Sequence, residues 1–594
     1  MKMCIIFYLL LISQLGFAQS FEKVTSVDLP GAYLGFISWA DINNDGQLDV
    51  FTSGVDYGET NYLANIFRNN GNDTFIQIKE LPSVIYGDIK WGDINNDGYL
   101  DFLYSGTKSG FPVDNYTALY KNKGDNDFEL IDIPIPDLDE CYLEFVDFNN
   151  DGLVDIFYEG NNSSNNFSIG ILRNIGSDSF IKINTNITGI SGGRGNFTHN
   201  SMTHGDYDND GDEDILIGLS SVDTFCVQMY RNDGNFNFTK IQTSIENMNY
   251  TNFKTIDIDN DGQLDIIETG SYLKELNSYD KDSKIFVYKN KGSLNFEEKW
   301  SYTGIGALWN VLDVGDINVD GMADIILHGA GPSNQSLYTF MNKGNDQFEL
   351  VDNDLPDCEM GGIKLGNFNN DNILDIIYSG RFQPSETEAT YIFLNASDSM
   401  NNKPSVPVKL SHQINARNAI LTWNRASDDL TDSLGLIYSI QVFDTAGKNI
   451  VSGLNYLGNY GEMHINNKFY LNNLHEGKYF WEVRSIDNSF VQSDYSSVDS
   501  FIIKSENTGI DKVNNKVSFT LYPNPCKNYI SIDLSLIQNV DLIEISDMNG
   551  KVLYKKDGNI GSTEIINTSL FEKGIYIIKL NTDNEIHLNK FIKI

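Results

Sequence analysis

Cations are scarce in this chain. Its 594 residues include 42 Lys plus Arg against 82 Asp plus Glu, a formal charge of −40. A surface that acidic repels phosphate backbones and anionic lipid, which argues against nucleic acid and membrane surfaces as partners and in favour of cations. Cysteine is also sparse, at five residues. Cys4 lies in the N-terminal leader, and Cys141, Cys226, Cys358 and Cys526 are too scattered for a disulfide framework, so they are expected as small buried hydrophobes. No segment beyond the leader is long and apolar enough to span a membrane, which takes about 20 residues. Long Ala/Leu/Glu/Lys periodic stretches are missing, so helices should be few. Three His precede residue 400 (His199, His204 and His328), and no His-Glu-x-x-His spacing supplies a metal-hydrolase signature.

What the chain does hold is 41% hydrophobic and 12% aromatic residues, enough for sizeable cores. Fifty Gly, with frequent Tyr, Phe, Ile and Asn, point to short strands joined by tight turns, an all-β fold. Residues 1–18 read as a secretory signal: Lys2, an apolar run from Cys4 to Ile12, then small Gly16 and Ala18 at a cleavage position, leaving a mature chain from Gln19.

One nine-residue pattern, Asp/Asn-x-Asp/Asn-x-Asp-Gly/Asn-x-x-Asp, recurs seven times, beginning at Asp41, Asp93, Asp147, Asp206, Asp257, Asp316 and Asn367. Between copies lie an apolar-x-Asn element ending at Asn69, Asn122, Asn174, Asn232, Asn290, Asn342 and Asn395, and a Phe opening an extended run at Phe21, Phe75, Phe128, Phe180, Phe238, Phe296 and Phe348. A repeat of about 50 residues with four strand-like segments is a propeller blade, and seven can close into a ring. The seventh repeat lacks a trailing Phe strand, whereas the chain opens with an unpartnered one, Phe21 to Val24. The N-terminal strand is therefore expected as the outer strand of blade 7, closing a propeller over residues 19–400 and hiding both sheet edges.

Oxygen side chains at positions 1, 3, 5 and 9 of a loop bent at position 6 converge on one point, which suits a hard cation with six to eight oxygen ligands. The expected ligands are Asp41, Asn43, Asp45 and Asp49; Asp93, Asn95, Asp97 and Asp101; Asp147, Asn149, Asp151 and Asp155; and Asp206, Asp208, Asp210 and Asp214. The remaining loops give Asp257, Asp259, Asp261 and Asp265; Asp316, Asn318, Asp320 and Asp324; and Asn367, Asn369, Asp371 and Asp375. Calcium fits such a set, whereas zinc would want His or Cys. The seventh loop is the poorest, with Asn367, Asn369 and Asn372 where others carry Asp, Asp or Asn, and Gly. Asp257 to Glu268 satisfies an EF-hand pattern, but the other loops lack the final Glu, so Glu268 reads as incidental. Gly189-Ile-Ser191-Gly-Gly193 mimics a nucleophile elbow without the strand and helix that chemistry needs.

With their Leu-Phe-Arg-Asn-x-Gly-like strands, these loops resemble the FG-GAP/VCBS repeats of integrin-type seven-bladed propellers over residues 21–400. Such propellers are similar to integrin α-subunit heads, integrin-like fungal lectins and some bacterial polysaccharide-degrading enzymes. The resemblance implies up to seven calcium ions and no single activity.

Residues 396–404 have a linker composition, and residues 404–504 then give short alternating strands. The latter resemble a fibronectin type III sandwich, with Trp423 in the core and Tyr479 as corner tyrosine, and read functionally as a spacer. Residues 517–594, with Tyr522-Pro-Asn-Pro525, Asp547-Met-Asn-Gly550-Lys551 and Gly574-Ile-Tyr-Ile-Ile-Lys579, are similar to the type A C-terminal sorting domain of type IX secretion. Signal and sorting domain together place the protein outside the outer membrane, secreted or surface-attached, with the secretion machinery as a partner.

The Phe-to-loop distance is 18 to 20 residues in every repeat except Phe180 to Asp206, where it is 26. Residues 184–205 and 271–283 are therefore long connections on the face opposite the Asp loops, and long insertions on one face are where binding usually lies. Arg194, His199, His204, Tyr272 and Tyr279 are the candidate ligand-binding residues, with Tyr57, Phe111 and Tyr116 on equivalent connections. Two functions suit this layout. The first is a binding or adhesion module for a glycan or surface protein; the second is a polysaccharide lyase or hydrolase on the same scaffold, whose catalytic residues the sequence does not mark. Rings and hydrogen-bond donors favour binding.

Overall fold

The structure is a computed structural model. It describes residues 20–504 and 519–594 except 32, 57, 59, 109–113, 125, 165, 190–200, 221–224, 273–282, 306–307, 331–336, 354, 383–386, 398, 454–464, 535–539, 548–550, 559 and 583–585. The leader lies outside the described residues, which contain strands and no helix. The chain divides into two compact units, residues 1–504 and 505–594.

In the first unit each repeat folds into a four-stranded antiparallel sheet. The first sheet runs Tyr33–Ala40, Asp49–Val55, Tyr62–Asn69 and Phe75–Glu80 in order. Every second strand starts at the ninth loop residue, and Asp49–Val55 is buried at all seven positions. Val50, Phe51 and Val55 suit that burial, and the buried Ser53 hydroxyl donates to Val84 O at 2.6 Å. Outer strands such as Phe128–Ile131 bury the leading Phe and expose the next two residues.

The last sheet, built on Cys358–Gly366, Asp375–Phe382 and Thr387–Asn395, takes its outer strand from the other end of the chain. Phe21, Glu22 and Lys23 pair with Asn395, Leu394 and Phe393. Around the unit, the first strands Tyr33–Ala40, Ile85–Gly92, Leu138–Val146, Ser201–Gly205, Asn249–Ile256, Leu308–Gly315 and Cys358–Gly366 each contact the next, and the last contacts the first. Trp39 Nε1 donates to Leu365 O across that last junction at 2.9 Å. Lys90 bridges to Glu144 at 3.1 Å and Lys254 to Asp313 at 3.0 Å, linking first strands of adjacent sheets.

Residues 408–503 form two facing sheets. One holds Val408–Asn415, Asn418–Asn424 and Lys468–Leu471; the other holds Asn449–Val451, Ile437–Asp444, Gly477–Ile486 and Asp499–Ile503. Trp423, Tyr438, Trp481 and Phe501 share the core between them, and Tyr479 Oη donates to His475 O at 2.8 Å.

This sandwich does not behave as a spacer. Ile437, Ile465, Ile486 and Phe490 belong to the same buried cluster as the repeat residues Ile266, Ile325 and Ile376. The connection before it is also anchored, Asn401 being buried with Nδ2 donating to Asp487 Oδ2 at 2.9 Å. A linker-like composition misled here because Asn and Ser serve equally as solvated chain and as hydrogen-bonding surface.

The second unit is a separate two-sheet body. Thr520–Tyr522, Tyr529–Asp533 and Thr563–Asn567 form one sheet, and Val552–Asp557, Val540–Asp547, Gly574–Thr582 and Ile586–Lys593 the other, in that spatial order. Ile530, Ile543, Ile578 and Phe591 fill its core, together with Cys526. Cys358 and Cys526 are buried and Cys141 and Cys226 half-buried, and no disulfide joins any of the four.

Candidate metal centre

The Asp loops share one internal geometry. In the fifth, Asp257 Oδ1 accepts from Asp261 N at 3.0 Å and Oδ2 from Gly262 N at 2.7 Å. Asp261 Oδ1 accepts from Gln263 N at 3.0 Å. Asp265 Oδ2 accepts from Ile258 N at 3.2 Å and Oδ1 from Asn290 N at 2.7 Å. The ninth residue makes both of these bonds in every loop, so Asp49, Asp101, Asp155, Asp214, Asp265, Asp324 and Asp375 each tie their loop to the third strand of their own sheet. The first residue makes its pair in the six loops with Gly at position 6, whereas Asn367 accepts only from Asp371 N.

Position 6 needs Gly because its φ is positive, from 81° at Gly46 to 99° at Gly211. Asn372, at 70°, is the tolerated exception.

The residues present fit a hard cation. Every donor atom at positions 1, 3, 5 and 9 is oxygen. At position 3, Asn149 Oδ1, Asp208 Oδ1, Asp259 Oδ1 and Asn318 Oδ1 are buried without a hydrogen-bond partner among the described residues. In loops 4 and 5, carboxylate oxygens of Asp206, Asp208 and Asp210, and of Asp257, Asp259 and Asp265, lie within 4.8 Å of one another. Burial pushes Asp49, Asp257 and Asp375 up to about 7, Asp101 and Asp206 to about 8, and Asp316 to about 6. Such carboxylates sit in a medium that disfavours their charge until a cation compensates it. In loops 1, 2 and 7, Asn43, Asn95 and Asn369 turn Oδ1 to the N–H of position 5 instead.

Three repeated residues have roles that the sequence reading did not give them. The Asn ending the third strand is a staple in six repeats, its Nδ2 reaching the preceding loop, as from Asn122 to Ile42 O at 2.8 Å and from Asn290 to Tyr207 O at 2.8 Å, while its Oδ1 accepts from the turn Gly or, at Asn395, from Ser397 N. The residue before it is cationic in five repeats (Arg68, Lys121, Arg173, Arg231 and Lys289). Arg173 pairs with Asp151 at 2.9 Å, and Lys289 pairs with both Asp259 and Asp261.

The third is Asn at position 4, left-handed at φ 56–61° in Asn44, Asn96, Asn150, Asn209, Asn260 and Asn370. Asn44, Asn96, Asn150 and Asn260 donate to the carbonyls of Gly98, Gly152, Gly211 and Gly321 in the next loop, and Asn370 Nδ2 returns to Gly46 O at 3.0 Å. Asn209 donates to Gln263 Oε1 instead. The signal was visible, as Asn stands there in six of seven copies.

Of the candidate ligand-binding residues, Arg194, His199 and Tyr279 lie outside the described residues, as do Tyr57 and Phe111, half of 184–205 and most of 271–283. His204 does not lie on an exposed connection: it is 3% exposed, its Nδ1 lies 3.0 Å from Glu213 Oε2, and it lines a cavity of about 110 Å³ beside Asp147 and Ser452 at the loop end. Lying two residues before Asp206, it belongs to the packing beneath the fourth loop. Tyr116 sits within Asp114–Asn122, its hydroxyl bonded to Tyr120 Oη at 3.0 Å.

Tyr272 is 37% exposed, just beyond Asp265–Ser271 at the end away from the loops, with Lys284 Nζ 5.6 Å from its ring centre. Burial and the nearby carboxylates of Glu246 and Glu268 push its phenol up to about 12. Glu268 is fully buried within that strand, its carboxyl pushed well above the usual range by that burial.

Residues 41–104, 93–158 and 206–268 match the FG-GAP-like repeat, each window opening on the first Asp of a loop, and residues 520–594 match the secretion system C-terminal sorting domain. A search of curated proteins finds no match. Among solved structures, the extracellular domain of one hybrid two-component system of B. thetaiotaomicron is 14% identical, with a TM-score of 0.30 over 81% of this chain; this chain spans 57% of that domain's length. A second such domain from B. thetaiotaomicron is 10% identical with a TM-score of 0.33, covering 97% of this chain and 99% of that one. The α-L-arabinanase of Penicillium chrysogenum is 9% identical with a TM-score of 0.32, covering 62% and 98%. The chain carries FG-GAP-like repeats in an all-β body of four-stranded sheets, and its sorting domain directs export by type IX secretion to the cell surface or beyond.

Proposed function

We propose that this exported protein is a calcium-stabilised, seven-bladed propeller of the integrin-like type that binds a glycan or a surface protein on the face opposite its Asp loops. The single observation that carries the reading is the seat of the sandwich. Its residues bond the loops of the second to sixth sheets, so that face is taken and the opposite one is left for a ligand. Tyr272 stands on that opposite side, backed by Lys284. An exposed ring beside an ammonium suits the apolar face and hydroxyls of a sugar, or an acidic peptide. The ABE/C′CFG-like order of the two facing sheets supports the fibronectin type III reading of residues 404–504, and the anchored outer strand Phe21–Lys23 supports closure of the ring.

The test is retention and turnover of a panel of polysaccharides by the full mature chain and by Tyr272→Ala. Binding alone, weakened about tenfold or more in the variant, supports a module. Product release with retention intact would make the protein an enzyme on the same scaffold.

A further inference from the structure

The contacts between loops and sandwich fall on one repeated residue. Asn96 Nδ2 donates to Ile450 O at 2.7 Å, and Ser452 N donates back to Asn96 Oδ1 at 3.0 Å. Asn472 N donates to Asn150 O at 2.6 Å, and Asn466 Nδ2 to Asn209 Oδ1. Asn488 Nδ2 donates to Asn260 Oδ1 and to Gly321 O, both at 3.0 Å, and Asp316 N donates to Asn488 O at 2.9 Å. Four of the five loops are therefore read through the residue at position 4. In the sixth, where that residue is Val319, the sandwich takes the Gly321 carbonyl and the Asp316 backbone instead. Position 6 adds a steric match: a Cβ on Gly152, Gly211 or Gly321 would collide with Ile450, Tyr470 or Leu430 of the sandwich.

Position 4 lies between two expected cation ligands, positions 3 and 5, and is held in the left-handed region. In an empty loop only the Asn turn and its bond to the next loop hold it there, against the mutual repulsion of the carboxylates on either side. A loop drawn around a cation has its neighbours on both sides fixed. The orphaned oxygens of Asn149, Asp208, Asp259 and Asn318 all belong to loops that the sandwich touches.

From this we infer that cation occupancy of loops two to six sets the docking of the sandwich, so that the Asp loops act as a calcium-dependent clamp between the repeat body and residues 404–504. The inference rests on the calcium reading above and adds a consequence to it.

The test uses the full mature chain with calcium or with a chelator. Calcium uptake is followed by titration calorimetry, and docking by hydrogen exchange of peptides spanning 450–453, 466–473 and 487–490. We expect chelation to speed exchange in those peptides about tenfold or more while the inner strand Asp49–Val55 stays protected. We also expect Asn488→Ala, which leaves every loop ligand intact and removes the amide bonds to Asn260 and Gly321, to speed exchange of the 487–490 peptide in calcium and, by reciprocity, to weaken ion affinity by the same factor at unchanged stoichiometry. Calcium uptake with unchanged exchange on chelation would overturn the clamp and spare the calcium reading. No calcium uptake would overturn both.

Discussion

At the scale of single residues, what a side chain does here depends on which groups its neighbours place around it. Lys364 stands at the register of Lys90 and Lys254, three residues before its loop, but no carboxylate lies within ion-pair distance of it among the described residues. Burial, with Lys254 beside it, pushes its ammonium down to about 8. A lysine whose folded pKa is below its unfolded value of about 10.5 weakens the fold wherever both states are charged. That penalty is complete below pH 8 and fades as the pH rises toward about 10.5. Lys364→Met should therefore raise the melting temperature at pH 7, by the equivalent of about 1–3 kcal/mol, and the gain should shrink in melts run at pH 9 to 10. A gain that does not change with pH would mean Lys364 is not the strained charge it looks to be.

The repeated loop positions 1, 3, 5 and 9 were legible as a pattern because carboxylates recur there at fixed spacing seven times. Asn at position 4 was equally regular and went unread, because a turn explains an Asn by itself. Its second job, a bond to the next loop, exists only between repeats. His204 failed in the other direction: a polar residue near an insertion looks available until the burial and Glu213 are known.

At the scale of elements, the strands were legible from their punctuation. The Phe that opens each outer strand and the Asn that closes each third strand fall at the ends of observed strands, as at Phe75 and Asn69. Pairing of Phe21–Lys23 with the last repeat could be reasoned from the missing Phe after Asn395. The Asn staples carry a measurable load. Asn290→Ala removes the bond to Tyr207 O and leaves a buried carbonyl and the Gly292 N–H unsatisfied, which should cost about 2 kcal/mol in a denaturant melt. Ser at the same position, too short to reach the neighbouring sheet, should recover only part of the loss. A neutral Asn290→Ala would show that the sheets hold together by packing alone.

The seat of the sandwich, by contrast, left no trace in the sequence. Most of its bonds to the loops involve main-chain atoms, such as Ile450 O, Asn150 O and Gly321 O, and main-chain atoms carry no composition signal.

At the scale of the whole molecule, address and charge are set by different parts. Residues 520–594 form their own core and match the sorting domain, so deleting them should leave the repeat body folded and protected from protease but retained in the periplasm. Fractionation of cells expressing the truncated chain checks this, and undiminished surface display would contradict it. The charge of −40 has its densest focus in the loops, where 22 of 82 carboxylates stand at ligand positions. Loops 4 and 5 bring the most together, and loop 5 also holds Lys289 against Asp259 and Asp261, an ammonium that a cation would have to displace.

Calcium occupancy is the claim on which the rest leans, and calcium titrated into the chelator-stripped mature chain, followed by its melting temperature, tests it most directly. The account predicts uptake of several ions per chain and a steep rise in melting temperature, each filled site adding about 1.4 kcal/mol at ten times its Kd. Uptake of no calcium, with a melting curve the same in calcium and in chelator, would contradict it.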